Sequence, residues 1–270
     1  MKFFSRNALK WPVQAIPGAA ACPGAADAWP ILVISLADAT ERRRQIAQQL
    51  DGLGLGFTFI EAIDGRRGLP APYSPFIDRP GTLAQLGRAM TDGEYACALS
   101  HLSVYRRIVD QNLPGAIVLE DDAILRPDFA AFLGARVYEA VDLIQLDHRD
   151  ARIWRMGWRM RVSPMVRMAR LARNASLTTG YSVSRRAAAH ILGHALPLRA
   201  PADWPCDVTG LGASAMLHRL VDHPAVEDSV LEAQRAPLVA GLPRANRALR
   251  FFNRAYWRLW CFKRLTRKIS

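Results

Sequence analysis

Three adjacent acids, Glu120-Asp121-Asp122, close the short apolar run Ala116-Ile117-Val118-Leu119. Neighbouring like charges repel unless a cation or an array of donors compensates them. A hard divalent cation such as Mg2+ or Mn2+ takes oxygen ligands, commonly one or two carboxylates together with substrate phosphates. Side chains alternate along a strand, so the pattern predicts Glu120 and Asp122 on one side and Asp121 on the other. That acid-x-acid pair can grip one ion, and the ion can bridge a diphosphate and stabilise charge on a departing nucleotide. Phosphohydrolases and nucleotidyltransferases use similar clusters, so the acids alone leave several phosphate chemistries open.

Other residues join this candidate set. Glu94, Cys97 and His101 recur at i, i+3 and i+7 and share one helical face. They fit either a Glu/Cys/His metal site or a polar shell with a hydrogen-bonded histidine, and the second is the expectation. Asp147 ends the run Asp142-Leu143-Ile144-Gln145-Leu146, where a ligand and a turn or cap role are both open. Asp203, with Asp207 second, is a late carboxylate for which a general-base role and a capping or ion-pairing role are both open. Cys22, Cys97, Cys206 and Cys261 are widely spaced without a CxxC pair, so reduced thiols are expected instead of a disulfide scaffold or zinc knuckle.

The elements that must position these residues alternate in type. Trp29-Pro30-Ile31-Leu32-Val33-Ile34-Ser35-Leu36 reads as a buried parallel strand, 39–53 as a helix with Ile46, Leu50 and Leu53 inward, and 57–62 as a second strand. This opening is β-α-β, the pattern of an α/β domain. Residues 66–90 are rich in Pro and Gly and are expected to be loop. Thr91-Asp92-Gly93-Glu94 reads as a capping box for a helix running to about Gln111, with Ala98, Leu102, Tyr105 and Val109 buried. The third strand then runs into the acids and the fourth into Asp147. Acids at the carboxyl ends of parallel strands lie where open α/β sheets bind ligands. The 270 residues divide into a tail over 1–28, one catalytic domain over 29–240 and a basic amphipathic tail over 241–270.

The formal net charge is +12, and it is local. Residues 242–270 carry nine Lys and Arg and no acid; 151–176 carry seven Arg and no acid. A nucleic-acid binder would spread a basic stripe with stacking aromatics across the fold, so no nucleic-acid partner is expected. Arg244, Arg247, Arg250, Arg254 and Arg258 form one helical stripe, with Leu249, Phe252, Tyr256, Leu259 and Trp260 opposite. Such a helix reads as a membrane-surface anchor through residues 244–268, each basic residue contributing about 1 kcal/mol at an anionic surface. Packing on its own domain is the alternative. Residues 151–176 are expected to form a mobile loop over the site, with arginines suited to a phosphorylated or acidic ligand. The basic N-terminus lacks an apolar h-region and reads as a tail, and no run reaches the roughly 20 apolar residues of a membrane span.

Gly93-Glu94-Tyr95-Ala96-Cys97-Ala98-Leu99-Ser100-His101, Val118-Leu119-Glu120-Asp121-Asp122 and Thr178-Thr179-Gly180-Tyr181-Ser182-Val183-Ser184 follow one another in the chain. With the opening strand and its arginines, Ala62-Ile63-Asp64-Gly65 and Pro201-Ala202-Asp203-Trp204, they resemble the motifs of family 25 glycosyltransferases over residues 29–235. These are lipopolysaccharide and lipooligosaccharide sugar transferases of Gram-negative bacteria, with relatives that galactosylate collagen. The resemblance implies a GT-A-like α/β domain with a mostly parallel central sheet, a UDP-sugar donor (galactose foremost), and Mn2+ or Mg2+. It puts Glu120-Asp121-Asp122 in the place of the DxD motif, with Asp122 and Glu120 on the metal. Glu94, Ser100 and His101 would line or support the donor pocket, and Thr179-Gly180-Tyr181 would turn close to the sugar. The expected partners are a nucleotide-sugar donor and a lipid-linked glycan acceptor. The expected location is cytoplasmic, peripheral on the inner face of the bacterial inner membrane.

Overall fold

The computed structural model describes Trp11 and residues 28–164, 166–224 and 254–269. Strand β1 (Ile31–Ser35), helix α1 (Thr40–Gly52) and strand β2 (Phe57–Glu61) form the opening unit, with β1 and β2 parallel and Ile31 opposite Phe57. Every side chain of β1 is buried because alternate residues serve two layers. Leu32 and Ile34 pack with one core against Leu99, Leu102 and Ile191, while Ile31 and Val33 pack with Ile46, Leu50, Phe129 and Phe132.

Residues 66–90 are more ordered than a loop. A 3-10 turn spans Ala71–Phe76 and helix α2 spans Arg79–Leu86. Asp78 caps α2 by accepting from Gly81 N at 2.9 Å, and Gly87 ends it in the left-handed region at φ 69°. The same prolines and glycines that hide a periodic pattern supply this start and stop. Trp11 lies against Tyr73 and Phe76, with ring centroids 6.1 and 4.7 Å away.

Helix α3 (Asp92–Asp110) begins at the expected capping box: Glu94 N donates to Thr91 Oγ1 at 3.1 Å, and Thr91 N donates to Glu94 Oε2 at 2.9 Å. Ala98, Leu102 and Tyr105 are buried, but Ile108 replaces Val109 as the last inward residue. A Cβ on Gly65 would stand 2.5 Å from Asp92 O, so only glycine lets the 62–65 turn lie flush on the start of α3.

The remaining elements are β3 (Gly115–Glu120), β4 (Ile124–Leu125), α4 (Phe129–Ala135), β5 (Leu143–Gln145), β6 (Arg152–Trp154), β7 (Arg159–Arg161), β8 (Arg167–Arg170), β9 (Gly180–Ser184), α5 (Arg185–Ala195), β10 (Ser214–Met216), β11 (Val221–Asp222), α6 (Arg254–Leu265) and β12 (Thr266–Lys268). Eight strands make one sheet in the order β2-β1-β3-β9-β5-β10-β8-β7. The α/β class stands, and the central sheet is mostly parallel with two strands, β9 and β8, running against the rest. β2, β1 and β3 run parallel, as do β5 and β10, whereas β9 is antiparallel to both β3 and β5, and β8 to both β10 and β7. A parallel return needs a crossover, usually helical, and between β5 and β9 the described chain contains only short strands. One consequence bears on function: the carboxyl ends of β1, β3 and β5 and the amino end of β9 meet at one edge of the sheet.

Residues 151–176 form β6, β7 and β8, not the expected mobile loop, and β6 pairs antiparallel with β12, Thr266 opposite Trp154 and Lys268 opposite Arg152. The end of the basic tail is therefore bound to its own domain. Residues 244–253 of the expected stripe lie outside the described residues. Among the described residues no helix is long and apolar enough to cross a membrane.

Candidate active site

β3 delivers the acids to the sheet edge and stops at Glu120; Asp121 and Asp122 occupy a turn, so strand alternation does not reach them. Glu120 faces α3. Its Oε1 accepts from Thr178 Oγ1 at 2.9 Å and meets His101 Nε2 at 3.2 Å, while His101 Nδ1 lies 2.8 Å from the Tyr181 hydroxyl. Burial would raise Glu120, but the His101 hydrogen bond and charge, Thr178 and Arg42 outweigh it and hold the carboxyl below the usual range. Burial pushes the Tyr181 hydroxyl well up. Tyr181 thus keeps its proton, and His101 bridges its hydroxyl to the Glu120 carboxylate. Asp121 turns toward β1, accepting from Ser35 Oγ at 2.7 Å with Arg42 Nη1 at 3.5 Å.

Asp122 differs from both. Its Oδ1 is buried and has no hydrogen-bond partner among the described residues. Burial, then the charges of Glu120 and Asp121, push its pKa up to about 7. An orphaned carboxylate oxygen among three acids fits a hard divalent cation, which would supply the missing positive charge. The softer grouping of Cys97, His101 and Glu120 also clusters, its ligand atoms within 4.8 Å of one another. His101, however, is spent on Tyr181 and Glu120, and the Cys97 thiol is held well above its usual pKa by burial and then by Glu120, Asp203, Asp122 and Glu94. A thiol kept protonated is a poor metal ligand.

The same four charges show that Asp203 borders this space around Cys97. Asp203 Oδ1 accepts from Leu177 N at 3.1 Å, and that bond joins two strained places, since Leu177 (φ 81°) and Trp204 (φ 62°) both have left-handed backbones. Asp207 is exposed and accepts from Thr209 N at 2.8 Å and Thr209 Oγ1 at 2.7 Å, capping the turn that follows. Glu94 is committed elsewhere too. Its carboxylate forms a buried ion pair with Arg88, at 2.6 and 2.9 Å, besides closing the capping box. Ser100 accepts from Ile63 N at 2.8 Å and donates to Ala96 O at 2.7 Å, tying the 62–65 turn to α3. Thr179 and Tyr181 are buried, so they act beneath the site and not on its surface. Gly180 admits a close neighbour: a Cβ there would meet Val221 Cγ2 at 2.9 Å.

Spacing does not announce the second acid group at this edge. Asp147 is fully buried beyond β5, where the backbone N–H groups of Leu146 and Asp147 both donate to Gly180 O. His223 Nδ1 donates to Asp147 Oδ2 at 2.7 Å, and Arg149 Nη2 donates to His223 Nε2 at 3.1 Å. Arg149, which lies two residues beyond Asp147, is the local signal; His223 has none.

The pKa of Asp122 has a measurable consequence. An aspartate raised from 3.8 to about 7 favours folding while protonated. In chelator this contribution is complete below pH ~4 and is lost as the pH rises toward ~7. Added Mn2+ should therefore raise the melting temperature at pH 7.5 by roughly 5–10 °C at a hundredfold excess over its Kd, and by much less at pH 5. Equal shifts at the two pH values in thermal scanning would contradict a site on Asp122.

Residues 28–206 match the family described as Glycosyltransferase family 25 (LPS biosynthesis protein). A glycosyltransferase 25 family member of Anopheles gambiae is 35% identical over 111 residues, covering 37% of this chain and 17% of its own length. The lacto-N-neotetraose biosynthesis glycosyltransferase LgtE of Neisseria meningitidis serogroup B is 27% identical over 184 residues, 64% of this chain and 62% of its own. Procollagen galactosyltransferase 2 of Mus musculus is 28% identical over 180 residues, 60% of this chain and 27% of its own. Each match thus covers less than two thirds of the relative's length.

Proposed function

This chain belongs to glycosyltransferase family 25, and from that premise we propose that it moves a hexose from a UDP-sugar to a hydroxyl of a lipopolysaccharide-type surface glycan, with Mn2+ or Mg2+ and with inversion. The observation that carries the proposal is the orphaned Asp122 Oδ1 in a three-acid turn at the sheet edge where β1, β3, β5 and β9 meet. Galactose is the favoured sugar because a relative is named for transferring it.

Asp122 and Glu120 would hold the cation, which supplies positive charge to a departing nucleoside diphosphate. The chain from Tyr181 through His101 keeps Glu120 ionised and fixes its Oε1. Arg42, its side chain 44% exposed beside Asp121, adds a cation for phosphate oxygens. Asp203 takes the proton of the acceptor hydroxyl as oxygen attacks the anomeric carbon. It is preferred to Asp207 because it borders the same space around Cys97 as Glu120 and Asp122, whereas Asp207 is exposed and caps a turn. A lipid-linked acceptor would be met at the cytoplasmic membrane face, where residues 244–268 bring positive charge.

A screen of UDP-sugars and other nucleotide-sugars with Mn2+ tests this directly. Slow Mn2+-dependent release of UDP from one donor, accelerated by a glycan acceptor, is expected. Release of inorganic phosphate or pyrophosphate would overturn it in favour of a phosphohydrolase or nucleotidyltransferase.

A further inference from the structure

Ten large hydrophobic side chains are exposed among the described residues, and seven of them come from two segments, 154–162 and 257–265. Met156 is 101% exposed, and Trp158, Trp257, Trp260 and Leu265 are between 43% and 59% exposed. The segments are far apart in sequence and adjacent in space. β12 pairs with β6, Arg155 N donates to Leu265 O at 3.0 Å, and Arg155 Nε donates to Arg264 O at 2.9 Å. The Trp154 ring meets Phe262 edge-on at 6.0 Å. On the α6 side, Trp257 and Trp260 stand 5.8 Å apart with Arg264 over the Trp260 ring at 5.1 Å. The turn after β6 and the unit of α6 and β12 thus lie side by side.

Their charge is of one sign. Residues 152–162 and 257–268 contain Arg and Lys but no Asp or Glu, and Asp150, the acid next to them in sequence, is paired with Lys268 at 2.7 Å. We propose that this composite face, the 152–162 segment together with α6 and β12, docks on an anionic lipid surface. Tryptophans with exposed aliphatic side chains suit the boundary between headgroups and acyl chains, while arginine and lysine suit anionic headgroups. A nucleic acid would use the cations and the rings but would leave Met156 and Leu265 in water. The inference deepens the membrane part of the proposed function: the basic tail does not act alone, and a segment 100 residues earlier supplies half of the contact. Because β6 leads directly from β5, docking would hold the sheet edge at a fixed height above the lipid.

Vesicle sedimentation of the full chain tests it, with phosphatidylglycerol–phosphatidylcholine vesicles, pure phosphatidylcholine vesicles and poly(U) as probes. Binding to the anionic vesicles alone, weakened at least tenfold by M156S/W158S with an unchanged melting temperature, is the expected result. UDP release from the donor should be unaffected in that variant, since neither side chain belongs to the acid site. Wild-type vesicle binding by that variant would overturn the composite face, as would vesicle binding too weak to measure in the wild type. Poly(U) binding weakened by the variant, in place of vesicle binding, would assign the face to a nucleic acid. A protein that docks as expected yet releases UDP from no donor would leave this face standing and remove the transferase reading.

Discussion

Asp122→Ala should lower kcat/KM for donor turnover by about a thousandfold, to the level of the wild type in excess chelator. The expected loss follows from a cation contributing several kcal/mol of charge stabilisation, where about 4 kcal/mol corresponds to a thousandfold. Asp122 is the strongest lever because its carboxylate alone among the three acids has a buried oxygen without a partner among the described residues. Asp121 is tied to Ser35 and Arg42, and Glu120 to His101 and Thr178. The variant should also lose the Mn2+ shift in melting temperature. Asp122→Asn should melt higher than the wild type in chelator at pH 7.5, since it removes one of three mutually repelling charges. Activity within tenfold of the wild type, or a retained Mn2+ shift, would remove Asp122 from the metal site.

The second large effect falls on folding. Glu94→Ala should cost about 3–5 kcal/mol, because it strands a buried guanidinium. That corresponds to a fall of roughly 6–20 °C in melting temperature for a domain of this size. Arg88 and Glu94 side chains are only 7% and 6% exposed, and Glu94 also satisfies the amide of Thr91 at the start of α3. A double variant, R88M/E94Q, should recover most of the loss, since it keeps an acceptor for Thr91 and leaves no unpaired buried charge. Donor KM in the folded fraction of Glu94→Ala should change only a few-fold. A melting temperature unchanged by Glu94→Ala, or a KM raised a hundredfold with stability intact, would return Glu94 to the donor pocket.

Glu94 also shows where sequence is informative and where it falls silent. Its place three residues after Thr91 makes the capping box readable, because that contact is local and has a fixed spacing. The partner that decides its role, Arg88, sits in a stretch rich in Gly and Pro that offers no periodicity. Strands β1 and β3 are legible as apolar runs and β2 as an aromatic and β-branched one, and the arrival of the acids at the end of β3 follows from them. The three-residue strands β6, β7 and β12 are not, since three residues carry no detectable period and their pairing is set by tertiary contact. The site divides in the same way. Types and order locate Glu120, Asp121, Asp122 and Asp203. Only the fold shows that Ser100 serves the 62–65 turn, that Asp207 serves a cap and that His223 joins Asp147.

The insertion of β9 between β3 and β5 carries a kinetic consequence. The contacts that define the acid site are non-local: Thr178 reaches Glu120 across 58 residues, and His223 reaches Asp147 across 76. Closing such loops costs entropy before any contact repays it, so pairings of this kind form late and slowly. The opening β-α-β unit can gather from near neighbours, but Glu120 is not fully held until β9 and the residues leading into it have entered the sheet. A nascent chain released before about residue 184 would carry the acids without the geometry to use them. Catalytic competence should therefore appear in a single step at the end of folding.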